Sequence, residues 1–133
     1  MKNEYIAGDL VKFATNTYTI VNFEENFLHN KICYALISTN STKTAFVADR
    51  DILPIPLTEE ILEKNGWKKK MYCDWCHYLP IEGNILYLSK GIGIDGAFSV
   101  DVGQDMSYIA SISFVHQLQH LLFGLGLNSE IEV

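Results

Sequence analysis

The segment "DILPIPLTEEILEKNGW" constrains the fold more than any other part of the sequence. Pro54 and Pro56 cannot donate a hydrogen bond to a sheet ladder, so a central strand has to stop there. Directly afterwards, Thr58 is a good N-cap, since its hydroxyl oxygen can accept a free backbone N–H. Gly66 can take the left-handed conformation that ends many helices. The segment therefore predicts a structural boundary followed by one short helix over residues 59–65.

Further local signals support the same helix. Glu59 and Glu60 lie in its first turn, where the helix dipole favours negative charge. Leu57 before the cap and Leu62 inside the helix can form a hydrophobic staple. Trp67 can fold back onto Leu62 beyond the C-terminus of the helix. All the local rules therefore agree on a helix at this position.

The chain before this boundary favours strands. Runs rich in β-branched and aromatic residues alternate with polar turns, and such runs fit a pleated, half-buried surface. Five runs can be distinguished: residues 10–13, 17–23, 32–38, 44–48 and 51–57. Because a small sheet avoids exposed edges by curling on itself, we expect residues 1–56 to form a small SH3-like β-barrel.

The chain after the first helix predicts an antiparallel sheet and a second helix. Four strand-like runs cover residues 71–79, 84–88, 97–102 and 108–113, and the helix covers residues 114–125. At about 100° per residue its apolar side chains form one stripe that should lie on the sheet, namely Phe114, Val115, Leu118, Leu121, Leu122 and Leu125. We therefore expect an α+β fold in which residues 57–133 form an α-β-β-β-β-α unit.

The charge balance and the cysteine count narrow the class of protein. The 133 residues carry a formal net charge of −6, which argues against a nucleic-acid partner because such partners need a basic field. Lys68–Lys70 is a local basic spot that we interpret as a solvated turn. Three cysteines, an odd number, fit free thiols in a reducing compartment. No leader and no membrane-spanning apolar run is visible, so we expect a cytoplasmic protein with no membrane partner.

The motif "CDWCH" matches the pattern of covalent haem attachment through Cys73, Cys76 and His77. Aromatic and polar residues interleave around it, as they do in a strand. On a regular strand Cys73 and Cys76 point to opposite faces because their spacing is odd, so without a bulge they could not share a haem or a metal ion. A structural zinc site needs four ligands, and a thioredoxin-like redox pair needs its first cysteine at a helix N-terminus. We interpret the motif as two free thiols on a strand, with no cofactor.

A second motif, "GIGIDG", resembles a nucleotide-binding loop. Gly91, Gly93 and Gly96 match the dinucleotide fingerprint G-x-G-x-x-G. That fingerprint requires a helix at the third glycine, whose N-terminus meets the pyrophosphate. The residues that follow, "AFSVDV", alternate with period two instead. We therefore expect a glycine-rich hairpin.

The third motif, "HQLQH", places His116 and His120 one helical turn apart on a shared face. Zinc proteases use H-E-x-x-H with Glu as the general base, whereas Gln117 holds that position here and cannot take a proton. The two histidines lie nearly opposite the leucine stripe, with Phe123 beside them, so we expect them to be exposed. We treat His116 and His120 as weak candidates for metal binding and, together with Phe123, as a candidate interaction surface.

Two strings carry a resemblance, "DILPIPLTEEILEKNGW" and "FVHQLQHLLFGLGLNSEIEV". They resemble a group of small uncharacterised Bacteroidota proteins, often encoded near prophages and mobile elements, with the pattern PIPLT-x-E-x-L-x-K-N-G-F followed by V-H-Q-L-Q-N-L. Trp67 stands where Phe is usual, and His120 stands where Asn is usual. If Asn can replace His120, the two histidines are not a shared metal site. The resemblance implies a bacterial, cytoplasmic and phage-derived context, and it assigns no catalytic residue.

These observations lead to three hypotheses about function. The first is a non-enzymatic protein-interaction module, in a specific form a phage or mobile-element adaptor or inhibitor of a host system. Its support is the small size, the acidic balance and the lack of a G-x-S-x-G or G-x-x-x-x-G-K-[ST] sequence. The second is a metal-binding protein or enzyme that uses His116 and His120, or the C-x-x-C-H residues. The third is nucleic-acid binding through the barrel and Lys68–Lys70. A homodimer through the Phe123 face stays open.

Overall fold

The computed structural model describes residues 5–26, 31–38, 44–71, 73–90, 97–105 and 107–133. Within these ranges the chain forms two five-stranded antiparallel sheets and two α-helices. One of the sheets curls into a half-barrel. The fold is mostly β, and its two sheets with two helices are consistent with the expected α+β class.

The first sheet is a meander whose last strand returns to its first. Its strands are β1 (Leu10–Phe13), β2 (Asn16–Asn26), β3 (Lys31–Ser38), β4 (Thr44–Ala48) and β5 (Ile52–Pro54), with a short 3₁₀ turn, Asp49–Asp51, before β5. The spatial order is β4-β3-β2-β1-β5, because β5 leaves β4 and pairs antiparallel with β1. The five strands correspond to the five predicted runs, and Pro54 lies in an edge strand, where proline is tolerated.

The first sheet buries its own apolar cluster on one face. Ile20 of β2 and Leu36 of β3 are direct cross-strand partners, so their side chains lie side by side on the same face. The buried members of the cluster are Tyr5, Val11, Ile20, Tyr34, Leu36, Val47 and Ile52.

Helix α1 (Glu59–Lys64) begins and ends through the predicted local chemistry. The Thr58 hydroxyl oxygen accepts a backbone N–H of the first turn at 3.2 Å. Gly66 has a φ of +92°, and the Trp67 N–H donates to Leu62 O at 3.0 Å, which is the Schellman arrangement. The prediction of a short capped helix is therefore confirmed, with its end one residue earlier than expected.

The second sheet has five strands rather than the four expected. They are β6 (Lys68–Lys70), β7 (Cys73–Ile81), β8 (Asn84–Lys90), β9 (Phe98–Val102) and β10 (Ser107–Ile112), and they lie side by side in sequence order. The additional strand corrects the interpretation of Lys68–Lys70 as a turn, because the three exposed lysines form an edge strand paired with β7. Lysines on an edge discourage pairing with another chain, which gives a physical reason for the run.

Helix α2 (Val115–Gly124) lies between the two sheets. Its apolar stripe packs in the core of the second sheet, where Leu118 and Leu122 join Phe98 and Val100. Elsewhere on its surface α2 contacts β1 of the first sheet. In the part of the chain that the structure describes, neither helix is long and apolar enough to cross a membrane.

The boundary segment pairs with the start of α2. The Leu57 N–H donates to Ser113 O at 2.9 Å, and the Val115 N–H donates to Ile55 O at 2.8 Å. Ile55 and Leu57 are buried in the same apolar cluster as the stripe of α2. The prolines therefore end the first sheet, but the residues around them also connect the two halves. The division into residues 1–56 and 57–133 stays a prediction.

Candidate functional site

A cleft of about 550 Å³ opens where the N-terminal turn, helix α2 and the C-terminal tail meet. Residues 6–9 line it from the turn, Gln119, His120 and Phe123 from the helix, and residues 129–131 from the tail. Its volume lies in the range of ligand-binding clefts, about 300–1,000 Å³. Because two residues of the predicted interaction surface line this cleft, we consider it the candidate site and call it the junction cleft.

The interior of the junction cleft contains a buried carboxylate paired with a histidine. His120 Nε2 lies 2.8 Å from Asp9 Oδ1 and 2.9 Å from Asp9 Oδ2, and Asp9 is only 2% exposed. The Ile6 N–H donates to Asp9 Oδ2 at 2.8 Å. Gly8 has a φ of +96°, a left-handed conformation that favours glycine in the tight turn before Asp9. The carboxylate therefore joins the turn to the helix and orients the imidazole.

Gln119 attaches α2 to the first sheet beside this pair. Its Oε1 accepts the Leu10 N–H at 2.8 Å, and its Nε2 donates to Gly8 O at 3.0 Å and to Ser129 O at 3.4 Å. The residue is 6% exposed, so these bonds satisfy backbone groups that are shielded from water. Gln119 was not predicted from the sequence, because a glutamine beside a leucine stripe is typical of a solvated face.

The structure buries His116, so the expectation that it is exposed is wrong. His116 is 4% exposed and packs edge-on against Tyr5, with ring centroids 5.0 Å apart, and against His120 at 5.6 Å. Tyr5 belongs to the apolar cluster of the first sheet, so this sheet covers the face of α2 opposite the leucine stripe. Burial lowers the pKa of His116, the charge of Asp9 partly offsets that effect, and His120 adds to it.

The expected exposure of Phe123 is confirmed. Phe123 is 72% exposed, and Ile6, which lines the same cleft, is 52% exposed. Asp9 and Glu130 are the acidic lining residues, and the described lining contains no Lys or Arg. The junction cleft therefore combines exposed apolar side chains with an acidic interior.

The C-x-x-C-H residues lie on strand β7, as the interleaved pattern predicts, but the strand is irregular. Lys69 pairs with His77, whereas the adjacent Lys70 pairs with Cys73, so residues 74–76 form a bulge. Burial raises the pKa of the Cys76 thiol, and the nearby Cys73 adds to that effect. The bulge breaks the alternation of the strand, so the odd spacing no longer decides which faces the two cysteines take.

The described residues do not gather the candidate metal ligands. His77 is fully buried, neither of its ring nitrogens has a hydrogen-bond partner in the described ranges, and Glu63 Oε2 lies 4.0 Å from its Nε2. His116 and His120 are neighbours, but the Nε2 of His120 is already hydrogen-bonded to Asp9. No group of three or more His, Cys, Asp or Glu side chains among the described residues is placed to hold a metal ion.

The glycine-rich motif formed by Gly91, Gly93 and Gly96 lies outside the described residues. The chain after it enters β9, a strand, where a dinucleotide fingerprint requires a helix. This observation gives no support to nucleotide binding at the motif.

Comparison with protein-family models, curated protein sequences and solved structures gave no significant match. The function therefore has to be inferred from the geometry of the chain itself.

Proposed function

We propose that this protein is a non-enzymatic protein-interaction module whose contact surface is the junction cleft. One observation carries the proposal, namely that Phe123 lines an open cleft with 72% of its surface exposed. Aromatic side chains beside a pocket are typical of interaction surfaces, where a few of them contribute most of the binding energy. Of the three residues predicted to form the surface, His120 and Phe123 contribute to it directly, and the buried His116 supports them.

The polar interior of the cleft is held in place before any partner binds. Asp9 accepts from the Ile6 N–H and is paired with His120, and all the polar groups of Gln119 are occupied within the chain. A surface that is ordered in advance loses little conformational entropy on binding, so more of the contact energy appears as affinity. A cleft ordered in this way can therefore bind a partner without first rearranging its polar interior.

The charge of the cleft indicates the chemistry of the partner. The carboxylates of Asp9 and Glu130 line it, and the whole chain carries a net charge of −6. A lysine or arginine side chain of a partner would place its stem against Ile6 and Phe123 and its cationic end near the exposed Glu130 carboxylate, since Asp9 is buried and already paired with His120. An arginine over the exposed face of Phe123 would add a cation–π contact. We therefore propose a partner segment with a basic residue at the centre of its contact.

We extend the proposal to the biological setting and to the first half of the chain. Residues 1–56 are proposed to be an SH3-like barrel unit, and the support is the meander whose fifth strand returns to the first. The resemblance of two motifs to Bacteroidota proteins is the basis for proposing a cytoplasmic phage or mobile-element adaptor or inhibitor of a host system. A second copy of this chain, bound through the Phe123 face as a homodimer, is the competing occupant of the cleft.

Affinity capture with matched variants tests the proposal. Full-length wild type, Phe123→Ala, Glu130→Gln and the control Phe46→Ala are immobilised, and bound proteins from bacterial lysate are quantified by mass spectrometry. Phe46 is a suitable control because it is 66% exposed on β4 and does not line the cleft. We expect a protein that is retained by wild type and by Phe46→Ala but reduced at least tenfold by Phe123→Ala. Glu130→Gln should weaken retention at low salt, and its difference from wild type should shrink at high salt, because salt screens exposed charges.

Several results would contradict the proposal. Equal retention by Phe123→Ala and Phe46→Ala would show that the cleft is not the contact surface. A concentration-dependent dimer that Phe123→Ala abolishes would assign the surface to a second copy. Stoichiometric zinc or a haem absorption band in protein purified without a His tag would favour the metal-protein or enzyme hypothesis instead. A salt-dependent shift of nucleic acid that is lost when Lys68–Lys70 are replaced would favour nucleic-acid binding.

A further inference from the structure

The bulge in β7 draws the ends of the C-x-x-C sequence together. Lys69 and Lys70 are adjacent residues, so their Cα atoms lie about 3.8 Å apart. Their partners, His77 and Cys73, are four residues apart and would be roughly 13 Å apart in a regular strand. Because both partners lie along the same short piece of β6, the chain between them bulges out of the β6–β7 ladder, while Cys76 keeps its pairing with Ser89 of β8. Cys73 and Cys76 are therefore on one compact bend.

The Cys76 thiol has a defined environment on that bend. Cys76 is 2% exposed, and the Ser89 hydroxyl donates to its Sγ at 3.4 Å from the neighbouring strand β8. The Cys73 thiol and Lys70 are near enough to affect it electrostatically. Burial raises the pKa of Cys76, which disfavours attack by its thiolate on an external oxidant. Cys73 is half-buried and accessible from outside.

We propose that Cys73 and Cys76 form a reversible intramolecular disulfide, so that the bend is a redox-modification site at the edge of the second sheet. The geometry requirement is a Cα separation of about 4.4–6.8 Å, which a folded-back C-x-x-C can meet and a regular strand cannot. The site is independent of the junction cleft, because none of its residues lines that cleft.

The oxidant belongs to the class of small disulfides, such as oxidised glutathione. The Cys73 thiolate attacks one sulfur of the oxidant, forms a mixed disulfide and expels one thiolate. Cys76 then loses its proton to solvent and its sulfur attacks Cys73 Sγ, which forms the protein disulfide and expels the second thiolate. The two protein thiols are oxidised by two electrons, and the small disulfide is reduced to two thiols.

Oxidation of the folded full-length chain with oxidised glutathione tests this inference. Free thiols are titrated before and after oxidation, and peptide mapping without reduction locates any disulfide. We expect the folded protein to lose two thiols per chain, to yield a peptide with the 73–76 link, and to regain both thiols with dithiothreitol. Cys33→Ser should behave in the same way, whereas Cys73→Ser and Cys76→Ser should form no intramolecular link.

The mapping of wild type keeps the test decisive even if a cysteine variant folds poorly. Three results would overturn the inference: retention of all free thiols, mixed disulfides with glutathione that do not resolve, and a link that involves Cys33. Formation of the 73–76 link only after unfolding in urea would also overturn it, because the folded bend would then play no part.

Discussion

The two helices of this protein differ in how much their surroundings depend on distant parts of the chain. Helix α1 is capped by Thr58 and terminated at Gly66 through contacts made within a few residues, and the sequence predicts both ends. Helix α2 was also predicted, and its leucine stripe packs on the second sheet as expected. Its opposite face was misassigned, because His116 and Gln119 are buried against the first sheet. The difference shows that helix ends follow local chemistry, whereas the number of buried faces depends on what else the fold places there.

The same contrast appears between the two histidines of α2. His116 and His120 lie one turn apart, yet His116 is surrounded by rings and His120 pairs with Asp9. Both environments are created by the N-terminal turn and the first sheet, which are more than a hundred positions away in sequence. Variants can therefore separate the stability that each helix owes to its own sequence from the stability that it owes to distant residues.

The largest expected loss of stability comes from replacing a buried leucine, and we expect this loss to be similar in the two helices. Leu62 of α1 is 0% exposed and Leu118 of α2 is 1% exposed. We expect Leu62→Ala and Leu118→Ala each to lower the free energy of unfolding by about 2–5 kcal/mol, because each leaves a cavity. Urea denaturation followed by circular dichroism measures this. A cost far below that range for one of them would mean that its helix does not reach the core.

The next largest loss of stability should distinguish the two glutamines of α2, one bonded to a distant strand and the other to the start of its own helix. Gln119→Ala leaves the buried Leu10 N–H without its acceptor, so we expect a loss of about 1–3 kcal/mol. Gln117 is the matched control because its Oε1 accepts from the nearby Ser113 and Phe114 N–H groups at the helix start. Gln117→Ala should cost less, about 1 kcal/mol. Equal losses in urea denaturation would refute the distinction between local and distant contacts.

A smaller effect should appear as a pH dependence from His116. Because the folded-state pKa of His116 is lowered, the unfolded chain takes up a proton first as the pH falls. This contribution to stability is complete above the unfolded pKa, about 6.5, and is lost progressively as the pH falls from there toward the folded pKa. The groups facing His116 are Tyr5, Asp9 and His120. Unfolding free energies at several pH values should fall less steeply for His116→Phe than for wild type.

The cap of α1 should give a purely local effect. Thr58→Ala removes the acceptor of the Ile61 N–H, and we expect it to lower the unfolding free energy by about 1 kcal/mol. Thr58→Ser keeps the hydroxyl and serves as the control, with little or no loss. If the serine variant is as unstable as the alanine variant, the hydroxyl is not what stabilises the start of the helix.

The smallest effect on stability is expected at Phe123, the exposed residue of α2. Since 72% of its surface is exposed, Phe123→Ala should change the unfolding free energy by no more than about 0.5 kcal/mol. Thermal unfolding beside wild type measures the change. A loss comparable to that of Leu118→Ala would show that Phe123 supports the core, and its role at the junction cleft would then need revision.

The sequence anticipated the strands well because β-branched and aromatic runs, turn residues and prolines act over short distances. It missed β6, since three lysines are unusual in a strand, and only an edge position beside β7 accommodates them. It identified His120 and Phe123 of the junction cleft through their helical spacing. It gave no sign of Asp9 or Gln119 as their partners, because no local pattern links the N-terminal turn to the C-terminal helix.

The positions of the two helices, the five strands of the first sheet and the apolar stripe of α2 could all be predicted from the sequence. Each of these follows from the preferences of neighbouring residues. Tertiary packing was needed to show that α2 is covered on two sides, that β7 has a bulge within its C-x-x-C residues, and that Asp9 and His120 pair inside a cleft. These features depend on which segments pack together and on where a strand bulges. Both are set by how the whole chain buries its apolar surface, which no short stretch of sequence encodes.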